Sequence, residues 1–340
     1  MEFDQALYGV NDNFNISYAM RISLLALEGL FDTGLTVTLD AFTIANRISA
    51  RDRGGTPFFE VSIVGVRKRV RSGQGLSIPV LPVTPDLKPD WVIVPALSNG
   101  MPEQLIRSLG RADVSQAKAE LRKWHAEGVN IAASCIGTFI LAEAGLLEDG
   151  EATTTWWLAP LFRQRYPKTL LDESRMLVSS GKVVTTGAAM GHLDLALWLI
   201  RKASPELATV VSRYMLADIR SSQAPYIIPN HLAQADPLIL RFERWAREHL
   251  KAGFSLQEAA RALATSARTL QRRCHEVLGK SPLSYFQDLR VERAQSLLHG
   301  SGLDVEGIAA EVGYNDGHTL RMLLRERLGR GVRELRADLL

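Results

Sequence analysis

Cys135 stands where a short apolar run gives way to a helical pattern, a position at which α/β proteins commonly place a nucleophile. Residues 129–133 are typical of a buried strand, and residues 138–144 favour a helix. Small residues before Cys135 and a glycine at position 137 fit the sharp strand-to-helix turn of a nucleophile elbow. A helix N-terminus next to the thiol would favour the reactive thiolate. The spacing permits thiol chemistry, although a lone cysteine is equally typical of an inert buried side chain.

A second set of candidate residues lies in the last hundred residues, where two pairs of short capped helices are predicted. Ser255 and Glu258 form a capping box that begins one helix, and Ser266 begins the next. The outward face of that second helix carries Arg and Gln, which can form paired hydrogen bonds to guanine and adenine in a DNA major groove. The arrangement recurs about forty to fifty residues later, with Asp316 as the cap.

A longer amphipathic helix, predicted at residues 283–298, separates the two pairs. Such a rod would let the two pairs enter successive major grooves about 34 Å apart. Charge on one exposed helix face is also typical of an ordinary solvated surface. The ordered pair of capped units with basic outer faces favours DNA binding over that interpretation.

Composition and charge narrow the classes of protein. The 340 residues are 46% hydrophobic and 23% charged, which is typical of a folded chain with more than one domain. Residues 251–340 hold 14 Lys and Arg against 11 Asp and Glu, whereas residues 1–250 hold 26 of each, so the net charge of +3 resides in the C-terminal part. Two cysteines make neither a disulfide framework nor a metal cluster. Without a bilayer-length apolar run or a signal-peptide pattern, we predict a cytoplasmic protein with no cofactor, metal site or membrane partner.

The elements that must position these residues fall into two classes. Strand-like runs alternate with helical stretches in the first part, which predicts an α/β N-terminal domain with a mainly parallel sheet and helices on both faces. The last part predicts an all-α C-terminal domain with two helix-turn-helix units. We predict an N-terminal tail at 1–20, the α/β domain at 21–203, a proline-containing linker at 204–237 and the helical domain at 238–340.

Residues 254–336 resemble the AraC/XylS-type DNA-binding domain. The runs that carry the resemblance are 268–273 (RTLQRR), 278–282 (LGKSP), 289–294 (LRVERA) and 308–314 (IAAEVGY). It implies that Arg268, Gln271 and Arg272 read bases in one groove and that His318 and Thr319 read bases in the next. The candidate DNA contacts are Arg268, Thr269, Gln271, Arg272, His318, Thr319 and Arg321.

Two departures from that family pattern lie in the second helix pair. Leucine occupies three positions where phenylalanine is usual, which is a conservative change in the core: Leu320, Leu324 and Leu328. Met322 replaces an arginine that the family commonly directs at DNA. The resemblance therefore implies that the second pair reads fewer bases and makes more backbone contacts.

Residues 22–199 resemble the ThiJ/PfpI class of the glutamine-amidotransferase-like fold, as found at the front of GlxA-type AraC regulators. The runs 142–147 (AEAGLL) and Thr154-Thr155 support the resemblance. In enzymes of this class the elbow cysteine works with a downstream histidine and an acidic residue. The resemblance implies that Asp32 is the acid but puts Trp156 at the histidine position. Because an indole cannot accept a proton from a thiol, the resemblance favours a sensor over a hydrolase.

The leading hypothesis is a non-enzymatic, effector-controlled transcriptional regulator. Its predicted effector pocket consists of Asp32, Cys135, Trp156 and Trp157, although both tryptophans are equally typical of core packing. The predicted partners are double-stranded DNA, an unidentified small-molecule effector, a second copy of the chain in a homodimer and, as a further candidate, RNA polymerase. Two alternatives stay open: a cysteine amidase or hydrolase of the ThiJ/PfpI class with an accessory DNA-binding domain, and a DNA-binding protein whose front domain only dimerises.

Overall fold

The computed structural model describes residues 19–50, 56–98, 100–218 and 220–337. The chain divides into two compact units, and each unit combines two separate stretches of sequence. The first unit comprises Met1–Leu147 and Met176–Ser221, and the second comprises Glu148–Arg175 and Ser222–Leu340. The predicted tail at 1–20 lies outside the described residues except for Ala19 and Met20.

A seven-stranded sheet forms the centre of the first unit within the described residues. The strands of this unit are β1 (Met20–Leu25), β2 (Phe59–Gly65), β3 (Arg69–Arg71), β4 (Ser77–Pro79), β5 (Leu81–Pro82), β6 (Trp91–Val94), β7 (Asn130–Ser134), β10 (Leu177–Ser180) and β11 (Val183–Thr186). The sheet order is β10-β11-β7-β6-β1-β2-β5, and every neighbouring pair is parallel except β10 with β11. Strands β3 and β4 form a separate antiparallel pair.

Two groups of helices cover this sheet. The helices of the first unit are α1 (Asp32–Ser49), α2 (Pro102–Leu109), α3 (Ala112–Ala126), α4 (Gly137–Glu143), α6 (Gly191–Ala203) and α7 (Pro205–Tyr214). Helices α1, α6 and α7 pack on one another, and α2, α3 and α4 form a second packed group. Parallel strands buried between helices are mainly apolar, as in β1, where Ile22, Leu24 and Leu25 are fully buried. The predicted α/β fold is confirmed.

The second unit is mainly helical. Its helices are α5 (Ala159–Arg165), α8 (Pro229–Ala233), α9 (Pro237–Glu248), α10 (Leu256–Ala262), α11 (Ala267–Leu278), α12 (Pro282–Gly300), α13 (Val305–Glu311), α14 (Gly317–Leu328) and α15 (Val332–Ala337). Two short strands, β8 (Glu151–Ala152) and β9 (Leu170–Leu171), pair in parallel, and Trp156–Leu158 and Ala224–Tyr226 form 3₁₀ turns.

Helix α12 connects two hydrophobic cores in the second unit. Its first half contributes Phe286 and Leu289 to a core shared with α8, α9, α10 and α11. Its second half contributes Ala294 and Leu298 to a core shared with α13, α14 and α15. A single long helix therefore holds two helix-turn-helix pairs, α10 with α11 and α13 with α14, as the sequence predicts.

The two units divide the chain differently from the predicted domain boundaries. We call Glu148–Arg175 the docking segment, because it lies inside the predicted range 21–203 but packs with the helical unit. Helix α7 lies inside the predicted linker at 204–237 but belongs to the first unit, where Leu207 and Val211 are buried in the core. Both differences from the predicted boundaries arise because short apolar faces are buried in a core. Composition and proline content do not reveal this burial.

Candidate functional site

Helix α11 presents a polar stripe from a well-fixed frame. The hydroxyl of Ser266 accepts a hydrogen bond from the Thr269 N–H at 3.0 Å and caps the helix. Leu270, Cys274 and Val277 are buried on the inward side. That arrangement leaves four exposed side chains at helical spacings of three and four on one face: Arg268, Gln271, Arg272 and His275.

The arginines of α11 are not equivalent. Arg272 is 61% exposed and pairs with Glu276 on the surface at 2.8 Å, a contact too weak to prevent it from turning toward a ligand. Arg273 pairs with Asp236, whose buried carboxylate also caps α9 by accepting from the Leu238 N–H at 2.8 Å. Burial opposes ionisation of Asp236, but hydrogen bonds from Arg273 and from the α9 backbone outweigh it and hold the pKa of that carboxyl below its ordinary value. Arg273 therefore anchors α11 to α9.

Helix α14 has the same arrangement of a capping side chain and a buried apolar face, but different exposed residues. Asp316 accepts from the Thr319 N–H at 2.7 Å and from the Thr319 hydroxyl at 3.0 Å. These hydrogen bonds hold the pKa of the Asp316 carboxyl below its ordinary value. Leu320, Leu323 and Leu324 face the core. The exposed stripe of α14 consists of His318, Arg321, Met322 and Arg325.

The structure thus sorts the seven predicted DNA contacts into two kinds. Arg268, Gln271 and Arg272 lie together on the α11 stripe, and His318 and Arg321 lie together on the α14 stripe. Thr269 and Thr319 lie at the helix starts, where each hydroxyl is hydrogen-bonded to the cap residue. His275 and Arg325 extend the two stripes by one turn and are not among the predicted contacts, although a spacing of three or four from Arg272 and Arg321 could have identified them.

The sheet of the first unit brings Asp32 and Cys135 to one edge. Asp32 begins α1 after β1, and Cys135 directly follows β7. Strand β6 lies between β1 and β7, and all three are parallel, so their carboxyl ends meet at the same edge. The chain order reverses at β1, which pairs with β2 on one side and β6 on the other. Small molecules bind in α/β proteins at such switch points.

Cys135 has the geometry of the predicted elbow. Its backbone φ is +55°, in the left-handed region that side chains other than glycine rarely adopt. Its N–H donates to the Thr186 carbonyl at 2.8 Å, and the residue is buried. Any side chain at Gly137 would collide with the Val94 carbonyl, which explains the glycine two residues later.

Asp32 carries an open hydrogen-bonding position. Its Oδ2 atom accepts from the Gln74 N–H at 3.0 Å. Its Oδ1 atom is buried and has no hydrogen-bond partner within the described part of the chain. A buried carboxylate oxygen without a partner costs free energy, so a donor from a bound molecule would be stabilising there.

His192 is a structural side chain and not a base for Cys135. Its Nε2 atom accepts from the Ala96 N–H at 3.1 Å, so the proton resides on Nδ1, which donates to the Ala189 carbonyl at 2.7 Å. Burial lowers the pKa of His192 to about 4 and keeps the ring neutral. Both ring nitrogens are therefore committed to the backbone. The ring also fills the space beside Gly34, where a side chain would overlap it.

Trp156 and Trp157 belong to the other unit. Both lie in the docking segment, with their rings 5.5 Å apart and nearly perpendicular. Trp156 is partly buried against the core of α8 to α12, and its ring lies 5.6 Å from that of His231. The structure places Asp32 and Cys135 at one edge of the sheet and packs Trp156 against the helical core. The effector-binding role of all four residues stays a prediction.

Comparison with known proteins identifies the class of the helical unit. Residues 259–338 match the family described as "Helix-turn-helix domain". The chain is 25% identical over 315 residues to the HTH-type transcriptional regulator GbdR of Pseudomonas aeruginosa. This match covers 91% of this chain and 82% of that protein. The chain is also 27% identical over 213 residues to the HTH-type transcriptional regulator GlxA of Rhizobium meliloti. This match covers 60% of this chain and 64% of that protein.

A solved structure is also similar to the chain. A ThiJ/PfpI family protein from Pseudomonas syringae is 20% identical with a TM-score of 0.47, and the match covers 72% of this chain and 90% of that chain. The matched residues 259–338 make the helical unit a helix-turn-helix DNA-binding domain. It is of the AraC type, and the chain is a homologue of GlxA, GbdR and other AraC-family regulators. None of the helices among the described residues is both long and apolar enough to cross a membrane.

Proposed function

We propose that the chain is a transcriptional regulator that reads a DNA operator with α11 and α14 and responds to a small molecule bound in its first unit. The observation that carries the proposal is the pair of matched stripes. Two helices, each capped by a side chain and each with a buried apolar face, expose side chains at the same four helical positions, and all of these side chains except Met322 are polar. A helix that enters a major groove needs this arrangement.

The two stripes differ in what they offer to DNA. Arg268, Gln271 and Arg272 supply the side chains that form bidentate hydrogen bonds to guanine and adenine, so we assign base reading to α11. The α14 stripe combines His318 and Arg321 with the apolar Met322, so we assign it fewer base contacts and more phosphate contacts. The exposed N-terminal turns, with Thr269 and Thr319, would approach the phosphate backbone.

Substitution of Arg272 tests the DNA-binding proposal. Arg272→Ala should cost about 1–3 kcal/mol on the preferred operator and little on random DNA, because a base contact is lost and a phosphate contact is not. The operator is first selected from random DNA with the full chain, and both affinities are then measured at fixed salt. Arg201→Ala, which removes the same charge from an exposed site on α6, serves as the control. Equal losses on both DNAs would refute base reading by Arg272.

We assign the effector site to the sheet edge that holds Asp32 and Cys135. The open Oδ1 of Asp32 and the left-handed turn at Cys135 support this assignment, and the committed ring nitrogens of His192 argue against thiol hydrolysis. A homodimer on paired half-sites, contact with RNA polymerase and a cytoplasmic location belong to the same proposal.

A ligand screen on Cys135 variants separates a sensor from an enzyme. A panel of small polar metabolites should include one that raises the melting temperature of the full chain. Cys135→Ser should retain that shift in large part, and Cys135→Trp should lose it because the indole fills the site. DNA binding without effector should persist in both variants. Hydrolysis of amide or ester substrates by the wild type, lost in Cys135→Ser, would contradict the sensor proposal and favour the amidase or hydrolase.

A further inference from the structure

Helix α5 of the docking segment packs against the base-reading helix α11. This contact is more extensive than the one between α11 and α10, its partner in the helix-turn-helix pair. Phe162 and Ala159 of α5 are fully buried. A segment that is remote in sequence therefore packs against α11.

Arg163 makes the polar part of this contact. Its guanidinium pairs with Glu173, and the two side chains are 13% and 5% exposed. Its Nη1 atom also donates to the Val277 carbonyl in the last turn of α11, at 3.4 Å. The last carbonyls of a helix lack intrahelical partners and carry partial negative charge, so a buried cation at this position stabilises the helix end.

The end of α11 leaves room for that guanidinium because the next residue is glycine. Gly279 has a φ of +68°, and its N–H donates to the His275 carbonyl at 3.0 Å. A side chain at Gly279 would overlap the guanidinium of Arg163. Glycine is thus required here twice, for its left-handed backbone and for the close approach of Arg163.

The docking segment is itself tied to the chain that precedes the helical domain. The buried amide of Gln223 donates to the Thr154 carbonyl at 2.8 Å and to the Thr153 hydroxyl at 3.1 Å. The Gln223 N–H donates to the Ser174 carbonyl at 2.8 Å. Both ends of the segment are therefore fixed near the residues that lead into α8 and α9, and Arg163 acts from a braced position.

We propose that Arg163 is a positioning residue that sets the placement of α11 for base reading, through its contacts with Glu173 and the end of α11. The proposal rests on the proposed function, because it assigns base reading to α11. Helix α14 provides an internal reference. Its end at Gly329 has the same left-handed backbone. Within the described residues, however, no atom other than those of Gly329, its chain neighbours and its own helix backbone lies within 4 Å of the place where a side chain would start.

Hydrogen exchange tests the contact without DNA. In the full chain, Arg163→Ala should speed exchange of the Gly279 amide, which donates to His275, and leave unchanged the Gly329 amide, which donates to Arg325 at the same distance of 3.0 Å. If Arg163→Ala does not fold, Glu173→Gln takes its place, because it keeps the side-chain shape. This variant should also speed exchange of the Gly279 amide, by a smaller factor. An unchanged Gly279 amide in a folded variant, or equal acceleration at Gly329, would overturn the proposal.

A measurement of discrimination between bases tests whether Arg163 affects base reading by α11. Arg163→Ala should lower the preference for the operator over DNA altered at the α11 positions by about 2- to 30-fold, with preference at the α14 positions unchanged. Arg163→Lys should restore part of the loss, because one ammonium can satisfy one of the two acceptors. Arg165→Ala, on the same helix and exposed, is the charge-matched control. Equal losses at both sets of positions would overturn the proposal. A wild type without any sequence preference would refute the proposed function but leave the exchange result standing.

Discussion

Helices α11 and α14 begin and end alike but differ in what holds them. Each starts at a capping side chain, Ser266 or Asp316, and each ends at a glycine in the left-handed conformation. Helix α11 is further fixed by Arg273 paired with Asp236 and by Arg163 at its last turn. The last turn of α14 is held from α12, where Arg327 donates to Gln287 Oε1 at 2.7 Å and pairs with Asp288. At the end of α11, Gly279 lies against Arg163. Within the described residues, the equivalent position at the end of α14, Gly329, faces open space.

The exposed residues of the two helices also differ. Helix α11 carries the side chains suited to bidentate base contacts, and α14 carries Met322 in the middle of its stripe. Discrimination between bases depends on placement to within a fraction of an ångström, whereas contact with phosphates tolerates movement. We therefore expect the base-reading helix to be held closely, and Arg163 provides such a contact at the end of α11.

The two terminal glycines offer the largest test of this difference. Gly329→Ala should lower the free energy of unfolding of the helical unit by about 1–2 kcal/mol, the cost of a left-handed backbone for alanine. Gly279→Ala should cost about 1–3 kcal/mol more, because the methyl group displaces Arg163 and leaves Glu173 buried without its partner. Denaturant titrations of the full chain, followed by tryptophan fluorescence, measure both values.

The same pair of substitutions in an Arg163→Ala background provides the control. Without the guanidinium, the methyl group at position 279 finds space, so the difference between the two glycine variants should largely disappear. If Gly279→Ala and Gly329→Ala lower the free energy of unfolding equally in the wild-type background, the ends of α11 and α14 are equivalent. The proposed difference between the two helices would then be wrong.

Much of the architecture could be predicted from the sequence because it depends on local patterns. The alternation of strands and helices gave the α/β fold, and capping side chains such as Ser255, Ser266 and Asp316 marked the helix starts that the structure contains. The long helix between the two pairs was predicted at 283–298 and runs from Pro282 to Gly300. Periodicity and caps are properties of neighbouring residues, so a sequence records them directly.

Contacts between distant residues were not accessible in this way. The docking segment carries short apolar faces that fit either unit by composition, and its tertiary contacts decide between them. No sequence pattern singles out Arg163 or Glu173, yet both side chains are nearly buried. At the sheet edge, Cys135 was predicted from its position at a strand-to-helix turn and Asp32 by resemblance. The hydrogen bonds of both His192 nitrogens, in contrast, depend on the positions of Ala96 and Ala189.

Met322 offers the smallest and most direct test of the difference between the stripes. Its side chain is 60% exposed in the middle of the α14 stripe, between His318 and Arg325, so a longer cationic side chain fits there without repacking. If α14 binds mainly phosphates, Met322→Arg should tighten binding to operator and random DNA alike, by up to about 1 kcal/mol, and steepen the salt dependence by about one counterion. Met322→Leu, which keeps the apolar character, should leave both unchanged. Affinities measured across a salt series give the two quantities together. A gain confined to operators with guanine at one position would instead show that α14 reads bases as α11 does, and the distinction between the two helices would then lie in their support alone.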